Sequence, residues 1–152
     1  LLGSLDLLLD DGDDIRMHVQ VIVQIGLDNG WETMYLASND SRAMVSIDGK
    51  IGNSARKRLQ LLGFHNICEN PQILGNIDML LCMDGNVRNA FKRYVGKMND
   101  GGIMVFCRIH DTEDEWNEVR NDKRVRISMD FYKIGVCWFR SDMQKQHYIV
   151  KF

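Results

Sequence analysis

The chain has 152 residues, 45% of them apolar and 26% charged, with a net charge of −2 and a single proline. That balance fits one folded domain spanning 1–152 and excludes a disordered chain, a proline-rich linker and a strongly basic nucleic-acid-coating protein. No apolar run approaches the length of a membrane-crossing helix.

The opening segment, Leu1 to Asp14, lacks the basic start of a targeting peptide and carries aspartates where a cleavage site belongs. It reads as a peripheral acidic lead-in. From Met17 to Ile25 apolar residues fall at every second position, the pattern of a strand with one buried face. Asn29-Gly30 then predicts a hairpin into a returning strand over 31–37, with a further short strand over 43–47. Asn53 or Ser54 caps a helix through Leu62, with Leu59 and Leu62 inward and Gly63 as its stop.

Pro71 breaks the chain before the apolar segment 77–83. Over 87–98, Val87, Ala90, Phe91, Tyr94, Val95 and Met98 form a helical stripe. The run 103–109 is apolar on both sides and reads as a central strand. Thr112 and Glu115 have capping-box spacing ahead of a short acidic helix. Residues 124–131 alternate as a strand, 134–139 form a buried strand, and a hairpin through 141–146 leads to the terminal HYIVKF, a sheet member or a pairing edge. About six strands and three helices with hairpin-like links predict an α+β fold with a mostly antiparallel sheet.

Charge is distributed in blocks. Residues 1–50 carry a net −6, 51–110 a net +4, 111–122 a net −5 and 123–152 a net +5. Such blocks either fold against one another or present complementary surfaces for association. The basic candidates for an anionic partner are Arg56, Lys57 and Arg58 on one helix, Arg88, Lys92, Arg93 and Lys97 on another, and Arg124 and Arg126 on a strand. The acidic candidates for a partner surface are Asp111, Glu113, Asp114, Glu115 and Glu118.

Catalytic signatures are scarce. The four histidines are scattered, and HExxH, GxSxG, CxxC and dinucleotide or phosphate-loop fingerprints are missing. His65 and Cys68 share a spacing that suits one metal only with a distant third ligand. Asp78, Asp84, His110 and Asp111 at segment ends resemble the acids of a metal-dependent nuclease, without the carboxylate-x-lysine such a site wants. No metal or cofactor is implied. Four dispersed cysteines, read as buried thiols, point to an intracellular, cytoplasmic setting.

The order GGIMVFCRI, an acidic stretch and then paired strands resembles, over the last fifty residues, the matrix proteins of rhabdoviruses. That resemblance implies a self-associating protein with membrane-surface contacts; the chain departs from it in lacking a basic amino-terminal arm and a proline-rich tract. The sequence therefore predicts a non-enzymatic protein-interaction or self-assembling structural protein. The alternatives are a nucleic-acid-binding protein using a basic helix face, a viral matrix-like protein and a metal-dependent nuclease.

Overall fold

The computed structural model describes residues 21–26, 44–63, 67–69 and 75–151. The acidic lead-in, the hairpin at 27–30, the strand over 31–37, His18, His65 and Pro71 lie outside the described residues. Eight strands form one sheet: β1 (Val21–Ile25), β2 (Met44–Asp48), β3 (Ile67–Cys68), β4 (Ile77–Cys82), β5 (Met98–Cys107), β6 (Ile127–Asp130), β7 (Ile134–Phe139) and β8 (Gln146–Ile149). The described helices are α1 (Asn53–Leu61), α2 (Val87–Tyr94) and α3 (Glu113–Asn121).

The strand order is β3-β2-β1-β4-β5-β7-β6-β8, and β7 alone runs against the rest. The expected mostly antiparallel sheet is thus corrected to a mostly parallel, doubly wound one. The cause is topological. Val21–Ile25 is flanked on both sides by parallel partners, β2 and β4, so no returning hairpin strand lies along it. Burial periodicity reports which face a residue occupies and is silent on the direction of the neighbouring strand.

The sheet is covered on both faces, as parallel sheets require. One core packs Val23, Leu80, Cys82, Met104, Phe106 and Cys137 against α2 and α3. The other packs Ile22, Val45, Ile47, Met79, Leu81 and Val136 against α1 through Ala55 and Leu59. On α2, Val87, Ala90, Phe91 and Tyr94 are the buried residues, matching the stripe in the sequence. A 3-10 turn, Val95–Lys97, ends it, and Met98 already belongs to β5.

Several local expectations are revised: Leu62, expected inward, is exposed, and Gly52 stands at the cap position of α1 in place of Asn53 or Ser54. Thr112 makes no side-chain cap; Glu115 instead accepts the backbone N–H of Arg88 at 2.8 Å and so serves the start of α2. The strand predicted over 124–131 begins only at Ile127, because Val125 packs into one core while Met129 and Phe131 pack on the opposite face. The terminal strand joins the sheet as its edge, yet beside β6 and parallel to it rather than as a hairpin with β7.

Candidate functional site

Parallel register aligns the carboxyl ends of four strands along one edge of the sheet: Ile25 pairs with Asp48 and with Cys82, and Cys82 pairs with Phe106. The order reverses between β1 and β4, since the chain winds outward one way through β2 and β3 and the other way through β5. Open α/β sheets bind ligands in the crevice that such a reversal leaves at the strand ends.

Gly26 stands at that point. Its φ of +76° suits glycine, and a Cβ there would meet the Cβ and backbone nitrogen of Asp84, both at 3.2 Å. The Met83 N–H donates to the Ile25 carbonyl at 2.9 Å, holding the β1 and β4 exits together. Asp84 turns the β4 exit, its Oδ1 accepting the Asn86 N–H at 2.9 Å and the Cys82 thiol at 3.2 Å. Burial, followed by Asp84, pushes the Cys82 thiol far up, so it stays protonated and serves packing.

Asp48 ends β2 on the side of the sheet covered by α2. The Tyr94 hydroxyl donates to its Oδ2 at 2.6 Å, and Arg93 reaches the same oxygen at 2.8 Å. Its Oδ1 accepts no hydrogen bond among the described residues. Burial first, and Asp48 second, push the Tyr94 phenol well up, so it remains a donor.

At the β5 exit Arg108 adopts a left-handed backbone with φ of 62°. Its side chain lies over Gly85 and bonds Asp111 at 3.0 Å. Asp111 also meets His110 Nε2 at 3.2 Å. Nδ1 is buried and has no partner among the described residues. Tyr132, itself at φ of 69°, stacks on the His110 ring at 5.3 Å. Asp130 fixes this turn by accepting the Tyr132 N–H at 2.8 Å and the Trp116 indole N–H at 3.1 Å. A cavity of about 270 Å³ opens here, walled by His110, Glu113, Trp116, Asn117, Arg120 and Tyr132.

The sequence-derived candidates fall elsewhere. Arg88 and Lys92 on α2 meet Glu118 on α3 at 2.5 and 3.4 Å, and Arg88 also meets Glu115 at 3.8 Å. The basic and acidic blocks thus face each other inside the domain. Arg56 pairs with Glu69, Arg93 with Asp48, and Arg124 with Asp122. Lys97 lies over the Tyr94 ring. Arg58 is held within its own surroundings. Lys57 is exposed, and Asp114 extends from the first turn of α3. Arg124 and Arg126 line a separate cavity at the opposite edge of the sheet, with Lys123 and Asp100. Of the four supposed nuclease residues, Asp84, His110 and Asp111 share the carboxyl edge, while Asp78 sits at the other edge. Its carboxylate accepts the Val21 N–H at 3.0 Å and the Asn99 amide at 2.6 Å. Cys82, Cys107 and Cys137 are buried and form no disulfide among the described residues.

No protein-family model and no curated sequence matches the chain. Solved structures do. A provisionally named caffeoyl-CoA O-methyltransferase from Staphylococcus aureus matches at a TM-score of 0.71, with 14% identity over 90% of this chain and 83% of that one. The precorrin-6y C5,15-methyltransferase of Geobacter metallireducens matches at 0.63, with 13% identity, over 78% of this chain and 80% of that one. The O-methyltransferase TomG of Streptomyces achromogenes, solved with S-adenosylmethionine, matches at 0.63 with 13% identity, over 80% and 74%.

The chain has the Rossmann-like fold of the methyltransferases. The expectation of a non-enzymatic, self-associating structural protein is corrected on this ground. The matrix-like alternative falls with it. The motif search failed because this fold assembles its site from strand ends rather than from one contiguous signature. Gly26, Asp48 and Tyr94 were the residues missed. Their one local signal is a strand ending in glycine, followed 22 residues later by an acid at the end of the next strand. Among the described residues no helix is long and apolar enough to cross a membrane.

Proposed function

We propose that the chain binds S-adenosylmethionine across the carboxyl ends of β1, β2 and β4 and directs its methyl group to a hydroxyl-bearing acceptor beside β5. The observation that carries this reading is Asp48. It is an acid at the end of the second strand, facing the crevice of an order reversal, with both its protein partners on one carboxylate oxygen. A glycine turn after the first strand and an acid about 20 residues on is how such sheets hold a ribose. Nicotinamide dinucleotides use that pair too. The antiparallel β7 between β5 and β6, together with methyltransferase neighbours, favours S-adenosylmethionine.

The residues fit the ligand. Gly26 lets the β4 exit pack closely against the β1 exit, and Asp48 offers Oδ1 to ribose hydroxyls. Bound there, S-adenosylmethionine would supply a methyl group activated by its positively charged sulfur. The chain's own part is placement and proton handling. His110, beside Asp111 and lining the cavity, is the residue placed to take the acceptor's hydroxyl proton. Ile109, Trp116 and the stacked Tyr132 wall the adjoining cavity, whose size suits a small, flat acceptor.

Calorimetric titration with S-adenosylhomocysteine tests the reading. One site per chain is expected, and His110→Gln should leave that affinity intact because it touches the acceptor side. Absence of binding up to roughly 1 mM, an affinity of only about 4 kcal/mol, would overturn it.

A further inference from the structure

We infer that Tyr94 and Arg93 are positioning residues that orient Asp48 toward the ribose hydroxyls of an adenosine-bearing ligand. The inference rests on the reading of the crevice given above and adds a second layer to it. Tyr94 is 1% exposed, in the last turn of α2, with its ring among core residues. A phenylalanine would fill the same space, so what the hydroxyl adds is its bond to Asp48. That bond is long in reach: α2 follows β4, and β1 lies between β4 and β2. It therefore ties together the strands on both sides of the reversal.

Arg93 adds an ion pair to the same Oδ2 at 2.8 Å and lies over the Tyr94 ring at 5.6 Å, while Lys97 lies over that ring at 5.8 Å. One hydrogen bond and one ion pair on a single oxygen restrain the carboxylate and occupy Oδ2. The remaining acceptor, Oδ1, is then pre-aimed and loses no rotamer freedom when a ligand hydroxyl arrives. Without Tyr94 and Arg93 the carboxylate would rotate freely at the end of its strand.

The test compares S-adenosylhomocysteine with its 2′,3′-dideoxy analogue by calorimetry, so that the readout is discrimination for the hydroxyls rather than affinity alone. The wild type should favour the hydroxylated ligand about tenfold or more, as charge-assisted hydrogen bonds do. Tyr94→Phe should cut that ratio at least threefold while leaving the dideoxy affinity unchanged. Arg93→Met should act in the same direction and more weakly, and it stands in if the Tyr94 variant does not fold. Equal losses for both ligands, or an unchanged ratio in both variants, would overturn the inference while leaving the crevice reading intact. A wild type that binds neither ligand overturns both.

Discussion

The two edges of the parallel sheet each carry an aspartate, and the contrast between them separates structure from function. At the amino edge Asp78 gives one carboxylate oxygen to the Val21 N–H and the other to the Asn99 amide. Its bonding capacity goes into joining β1, β4 and β5 just where the β4–β5 register shifts. At the carboxyl edge Asp48 has both partners on one oxygen, and His110 has a buried nitrogen with none among the described residues. Unspent polar capacity in a folded protein calls for a reason, and the ligand proposed above would supply one. Both edges also have cavities, and the larger, about 560 Å³, lies at the amino edge beside Arg124. Size alone would favour that cavity; strand polarity favours the other.

The contrast is breakable by substitution. Asp48→Asn should carry the largest effect, a loss of about 10–100-fold in affinity for S-adenosylhomocysteine, with a smaller fall in urea midpoint, because an amide oxygen can still accept from Tyr94 while the ion pair with Arg93 is lost. Asp78→Ala should reverse that pattern. Leaving the Val21 N–H and the Asn99 amide unpaired should cost about 1–3 kcal/mol in urea unfolding, with ligand affinity kept in the folded protein. If Asp78→Ala abolished binding in a protein still folded, the division between edges would fail.

Gly26→Ala bridges the two classes. The left-handed backbone and the contact with Asp84 at 3.2 Å should cost about 1–2 kcal/mol of stability and also impair binding by displacing the β4 exit. Thermal melts and calorimetry on one sample check both.

The smallest effect belongs to the edge strand β8, away from both ends. Its His147 bonds Ser128 at 2.8 Å and Arg120 at 2.6 Å. Burial first, and Arg120 second, hold the imidazole below its usual range. The unfolded chain therefore takes up this proton before the folded one does. The contribution is whole above the unfolded value, about 6.5, and is lost as pH falls below it. Melting temperatures at pH 7.5 and 5.5 should diverge slightly less for His147→Gln than for the wild type.

Legibility from sequence followed the same division. The α2 stripe, the central strand within β5, the stop after α1 and the buried Trp116 were all readable, because each depends on local periodicity. The direction of β1 against β2 was not, since a parallel pair is joined by a long crossover and leaves no mark at a turn. Asn29-Gly30, which suggested a hairpin, lies outside the described residues; β1 itself has parallel neighbours on both sides. The site was equally hidden. Asp84 and His110 drew notice as acids and bases at segment ends, although Asp78 was grouped with them across the full length of a strand. Asp48 carried no mark in the sequence; the register sets it opposite Ile25, next to Gly26. The charge blocks were visible as blocks, and the finding that Arg88 and Lys92 close onto Glu118 required two helices to meet.

The most direct test is amide chemical-shift mapping of the labelled protein during titration with S-adenosylhomocysteine. The account predicts the largest shifts at Gly26, Asp48, the Asp84-Gly85 turn and Arg108, with residues 123–126 unmoved. Shifts concentrated around Asp100, Arg124 and Ser141, with the strand ends of β1, β2 and β4 silent, would contradict it.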